Sequence, residues 1–97
     1  MSNTKAELLL DERHVLDSQA FVELAVWRVP KPVRGSHHRF KYRLAFVVDG
    51  TCVLRYDNEA GKGDHRHIGD VEEPCRFTDT DTLLGDFLRA AHEWRQQ

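Results

Sequence analysis

An antiparallel β-meander of about four to six strands, with a C-terminal α-helix packed on one face, is the α+β fold this sequence predicts. Three observations predict it. From Arg39 to Val48 the chain alternates with period two: Phe40, Tyr42, Leu44, Phe46 and Val48 point one way, and Lys41, Arg43, Ala45 and Val47 the other. Asp49-Gly50 follows at once, a strong short signal for a hairpin turn. Near the C-terminus the period becomes helical, with Leu84, Phe87, Leu88, Ala91 and Trp94 on one stripe and Leu83 and Ala90 beside it. A chain of 97 residues suits one domain with one core between two layers.

In order, Ser2 to Lys5 is expected to fray. Ala6 to Leu10 reads as a first strand, Asp11-Glu12-Arg13 as a turn, and His14-Val15-Leu16 as the continuation of a hairpin before a second turn at Asp17-Ser18. Phe21 to Val29 is rich in β-branched and aromatic residues, with Val22, Leu24 and Val26 on one face. Pro30-Lys31-Pro32 ends it, because proline lacks the donor a ladder needs. Val33 to His38 reads as a loop, a candidate mobile arm near a polyanion. Thr51 to Asp57 returns from the Asp49-Gly50 turn. An unbroken register would oppose Phe46 to Val53, Leu44 to Arg55 and Arg43 to Tyr56. That puts Lys41, Arg43, Tyr56 and Asn58 together on one face, and Tyr42, Arg55 and Asp57 on the other. Glu59 to Gly63 is a turn, Asp64 to Ile68 a short strand, Gly69 to Pro74 a loop, and Cys75 to Phe77 a last short strand. Thr78, with Asp81 three residues on, resembles a capping box at the helix start. Trp27, Trp94 and Cys52 are expected in the core; His14 and His92 are read as structural.

Hydrophobic content of 40% and charged content of 31% fit a globular protein rather than a disordered one. No apolar run approaches the ~20 residues of a membrane span, and the start has no signal-peptide pattern, which leads to a cytoplasmic expectation. The net charge of −2 conceals an asymmetry. Between Arg28 and His67 there are nine Lys/Arg and four acids, so this block carries +5 and the remainder −7; four of the six histidines also lie in it. A basic middle suggests an anionic partner; the plainer reading is an ordinary solvated strand face.

The chemistry concentrates in Arg55 to Gly69, RYDNEAGKGDHRHIG. Metal-independent RNA cleavage needs a base for the 2′-hydroxyl, an acid for the leaving oxygen and fixed positive charge on the phosphate. His65 and His67 are the acid/base candidates, with Asp57 or Asp64 to orient a histidine. Tyr56 completes the candidate catalytic set, and Tyr42 or Tyr56 could stack a base. Lys41, Arg43, Arg55, Lys62 and Arg66 are candidates to hold phosphate. No cofactor is called for. A metal site is the minority alternative: His65-x-His67 with Asp64, and a third ligand from His37, His38, Asp57 or elsewhere. A third reading is a binding module without chemistry, in which Gly61-Lys62-Gly63 offers N–H groups and a lysine to an anion. The bland alternative is a polar hairpin end whose groups satisfy one another. For Asp57-Asn58 a turn role is then favoured, and for Arg55 with Asp57 an internal ion pair.

Taken together, Trp27-Arg28-x-Pro30, His38-x-Phe40-Lys41-Tyr42-Arg43, Arg55-Tyr56-Asp57-Asn58 and the histidine segment after them resemble the TumE family of small bacterial toxins, from about Lys5 to Trp94. The resemblance implies an antitoxin partner, expected to carry a helix-turn-helix domain, and interference with translation, with RNA cleavage as the expected means. By position, Lys41, Arg43, Arg55, Tyr56 and Asp57 fall in the family-like motifs. Exposed strand edges would allow a homodimer or strand addition by the antitoxin.

Overall fold

The computed structural model describes residues 5–97. Met1 to Thr4 lie outside the described residues, and with them most of the segment expected to fray. Six strands form one antiparallel sheet in sequence order: β1 (Glu7–Asp17), β2 (Ala20–Arg28), β3 (Phe40–Val48), β4 (Thr51–Glu59), β5 (Gly63–Ile68) and β6 (Val71–Pro74). One helix, α1 (Thr80–Arg95), follows. The expected α+β meander with a C-terminal helix is what the chain forms.

The core lies between α1 and the middle strands. Val22, Leu24, Val26, Tyr42, Leu44, Phe46, Leu54 and Tyr56 meet Leu83, Phe87 and Ala91 of the helix. Phe46 takes Trp94 edge-on at 5.6 Å, and Tyr56 takes Phe87 edge-on at 5.4 Å, arrangements that match ring quadrupoles. The stripe is narrower than its periodicity suggests, for Leu88 is exposed. The cap is Asp79 rather than Thr78: its carboxylate accepts the Thr82 N–H at 2.7 Å. Arg95 Nη2 reaches Asp17 Oδ2 at 2.7 Å, tying the last helical turn to the β1–β2 end.

Several expected boundaries move. β1 runs unbroken through Asp11-Glu12-Arg13, which pair with Ala25, Leu24 and Glu23. As an edge strand exposed along nearly its whole length, it carries charge without burying it. Gly69 to Pro74 is not a loop. Gly69-Asp70 turns a hairpin, and β6 tolerates Pro74 as an edge strand does. Cys75 to Phe77 forms no strand. Trp27 is only partly buried, on the face away from α1, and Cys52 is exposed.

The most consequential departure is a bulge. Asp49 and Gly50 have φ of 51° and 76°, the left-handed pair a tight hairpin uses. Val48–Thr51 and Val47–Cys52 pair as the turn dictates, but Phe46 then pairs with Leu54, leaving Val53 as the extra residue. Leu44 therefore faces Tyr56, and Arg43 faces Asp57. In the expected register Arg55 and Asp57 would have entered the core face. The slip exchanges them for Leu54 and Tyr56, which avoids desolvating two charges beneath the helix.

The Val33–His38 loop is tied down rather than free. The Arg34 carbonyl accepts the Gly61 N–H at 2.6 Å, and Gly35 abuts Gly63. A Cβ on Gly35 would sit 2.7 Å from Gly63 N, so the two chains meet only because both residues lack one. Asn58 locks the same corner from β4. Its Oδ1 accepts the Tyr42 N–H at 2.9 Å, and its Nδ2 donates to the Phe40 carbonyl at 2.7 Å. Asp57 and Asn58 are thus buried strand residues, not a turn.

Candidate functional site

The bulge sends Arg55 and Asp57 to the sheet face opposite α1, where the cross-strand pairs complete a polar row. Asp57 pairs with His65, Arg55 with His67, and His67 with Glu72 of β6. Residues directly opposite share a face, so five ionisable side chains converge on three strands. Asp57 Oδ1 lies 2.7 Å from His65 Nε2, and Arg55 Nε lies 3.1 Å from Asp57 Oδ2. Arg55 Nη2 donates to His67 Nε2 at 2.9 Å, and Glu72 Oε2 sits 2.8 Å from the same nitrogen. Lys62 stands on the rim, its Nζ 3.8 Å from Glu72 Oε2.

Burial grades across the row. Asp57 is 6% and His65 4% exposed, whereas the His67 side chain keeps 24% of its surface. The tautomer of His65 follows from its partner. Its Nδ1 is 2.9 Å from the Gly63 carbonyl, which can only accept, so Nδ1 carries the proton. The other nitrogen then turns toward Asp57. His65 Nε2 and Asp57 Oδ1 form a buried ion pair at 2.7 Å, and Arg55 Nε pairs with Asp57 Oδ2 at 3.1 Å, yet none of Arg55 Nε, Asp57 Oδ1 and His65 Nε2 has a hydrogen-bond partner. Buried polar atoms without a hydrogen-bond partner are uncommon in folded proteins.

The structure does not gather all the residues the sequence singled out. Arg43 lies exposed opposite Asp57, and Lys41, also exposed, is two residues further along the same face of β3. Tyr56 and Arg66 face the other way. Tyr56 is under Phe87, and Arg66, bonded to Glu73 at 2.6 Å, lines a cleft of about 500 Å³ beside α1. Asp64 is likewise on the helix side of β5. It accepts from Ser36 Oγ, Tyr42 Oη and His38 Nε2, each at 2.7 Å. His38 is therefore a structural partner of Asp64, stacked on Phe77 with ring centroids 3.7 Å apart. The carboxylate that joins His65 and His67 is Asp57. Glu72 is the member the sequence reading missed. Reading Gly69-Asp70 as a two-residue turn would have opposed it to His67.

Burial pushes Asp64 up, but the hydrogen bonds from Ser36, Tyr42 and His38 outweigh it and hold the carboxyl below its usual range. Burial, and the bond to Asp64, push the Tyr42 phenol well up. A carboxyl lowered in the folded state contributes stability above its unfolded pKa of about 3.9, lost as pH falls through the folded value. Unfolding stability should therefore decline in acid below about pH 4, and Asp64→Asn should flatten that part of the decline. Denaturant titrations at several pH values check this; an unchanged acid slope in the variant would contradict it.

The sheet is covered on one side by the helix and bears on its open face an Arg–Asp–His–His–Glu row. A family model described as Toxin TumE matches residues 5–95, and the chain belongs to the TumE toxin family. Membership points to the toxin of a toxin–antitoxin system and implies an antitoxin partner. No curated protein and no solved structure matches the chain. Among the described residues, no helix is long and apolar enough to cross a membrane.

Proposed function

We propose that the chain is an RNA-cleaving toxin whose active site is the open-face row around His67. The observation that carries this reading is the placement of His67: its Nε2 accepts from Arg55 Nη2 at 2.9 Å while part of its ring faces solvent. Once Arg55 turns from His67 to the phosphate, the freed Nε2 lone pair can take the proton of an RNA 2′-hydroxyl. The freed oxygen attacks the adjacent phosphorus, forming a 2′,3′-cyclic phosphate and breaking the bond to the 5′ oxygen. Arg55 and Arg43 bring fixed positive charge to the phosphate, and Lys62 on the rim has a proton to give to the leaving oxygen. Asp57 and the buried His65 act as positioning residues that hold Arg55 and the β5 backbone in place. Of the sequence candidates, Lys41 extends the basic track, whereas Tyr56 and Arg66 take no part.

The runner-up is a module that binds RNA or an antitoxin without chemistry, favoured by the depth of Asp57 and His65. The exposed β1 edge, with Leu8, Val15 and Leu16, supports strand addition by a helix-turn-helix antitoxin or by a second copy. A cytoplasmic site of action follows from an RNA target.

The test uses purified protein stripped with EDTA, RNA and DNA of the same sequence, and a His65→Ala/His67→Ala variant. The expected result is cleavage of RNA alone, since DNA lacks the 2′-hydroxyl, and loss of cleavage in the variant. Wild type that binds RNA or antitoxin and cleaves neither nucleic acid would move the chain to the binding-module reading.

A further inference from the structure

We infer that Asp57, His65 and His67 bind one divalent transition-metal ion of the zinc class. One carboxylate oxygen and one nitrogen from each ring lie within 4.8 Å of one another. Two independent features of the geometry point to a cation. The first is the close pair: His65 Nε2 and Asp57 Oδ1 are buried 2.7 Å apart, and neither has a hydrogen-bond partner. Two ligand atoms on one ion stand close together with no hydrogen between them. Ligands each about 2.0–2.1 Å from zinc at a tetrahedral angle lie roughly 3.3 Å apart, with neither on the other's axis. The second is the tautomer. Metal-ligating histidines donate their other ring N–H to a carbonyl or carboxylate, and His65 gives Nδ1–H to the Gly63 carbonyl at 2.9 Å.

Glu72 is placed as a fourth ligand. Its Oε2 lies 2.8 Å from His67 Nε2 and 4.0 Å from His65 Nε2. Two imidazoles and one or two carboxylates suit zinc, cobalt or manganese better than calcium or a thiolate-loving ion. The surroundings set a condition. Asp57 and Glu72 are offset by Arg55 and Lys62, both within ion-pair distance, so an ion must displace Arg55 from His67 Nε2. Binding therefore takes the lone pair that the proposed cleavage uses as its base. Ion binding and metal-free cleavage are mutually exclusive at this site. That second statement rests on the proposed cleavage; the binding itself does not.

Cobalt(II) and zinc titrations of the EDTA-stripped full chain test both. Cobalt reports through its visible spectrum and zinc through calorimetry, with urea melts confirming that each variant is folded. One ion per chain is expected, with affinity weakened about 100-fold or more by Asp57→Asn or by His67→Gln. The partly exposed His67→Gln keeps the test valid if the buried Asp57 change unfolds the chain. No cobalt spectrum at roughly millimolar metal, far above any specific affinity of such a site, would overturn the inference, as would undiminished binding by folded His67→Gln. In the cleavage assay, zinc should inhibit in proportion to site occupancy, reversibly with EDTA. Acceleration by zinc would overturn the exclusivity while the spectral titration still reported the site. An EDTA-stripped chain that bound cobalt one-to-one but cleaved nothing would remove the cleavage reading alone.

Discussion

His67→Ala is expected to lower the rate of RNA cleavage by about 10²–10⁴-fold, the range a positioned proton-transfer group contributes. RNA affinity should change by less than about threefold, because the positive charge that attracts phosphate is on Arg43, Arg55 and Lys62. The side chain is partly exposed and lies off the core, so the variant should fold. The row differs from a general polar surface in its contrast with Arg66. That side chain is one residue away, yet on the opposite face and bonded to Glu73. Arg66→Ala should leave cleavage within about twofold. Single-turnover kinetics with saturating RNA separate the two. Equal losses in both variants would mean that basic charge, not the His67 nitrogen, governs the reaction.

Asn58→Ala is expected to cost about 3–5 kcal/mol of folding stability. It strips partners from the Tyr42 N–H and the Phe40 carbonyl, and each orphaned buried group costs roughly 1–3 kcal/mol. It also releases Ser36 Oγ, which accepts from Asn58 Nδ2 at 3.2 Å and itself bonds Asp64. The loss is a large share of the ~5–15 kcal/mol by which such proteins are stable. Urea unfolding measures it as a lower midpoint at unchanged slope. A loss under about 1 kcal/mol would show that water replaces the amide.

Most of the fold was legible because its signals are local. Period-two alternation in β3, the Asp-Gly turn and the helical stripe each need only a few neighbouring residues to read. What escaped the reading depends on partners elsewhere in the chain. The Val53 bulge is decided by which alternative buries charge under α1, a comparison no window of β4 contains. Its effect reached the site: the unbroken register separated Arg43 from Asp57 and grouped Tyr56 with the basic residues. His65 and His67 were legible as a same-face pair, and Arg55 with Asp57 as an ion pair. The roles of Ser36, His38 and Asp64 were not, for they depend on a loop 26 to 28 residues from Asp64 packing against β5. The length of β1 was lost for a different reason. Charged residues read as a turn, but an edge strand exposed to water accommodates them.

The central claim is that the open-face row cleaves RNA through the 2′-hydroxyl. The most direct measurement is the chemistry of the ends left on RNA after incubation with EDTA-stripped protein. The account predicts 2′,3′-cyclic phosphate and 5′-hydroxyl termini, absent with His67→Ala. Termini bearing 3′-hydroxyl and 5′-phosphate, or intact RNA, would contradict it.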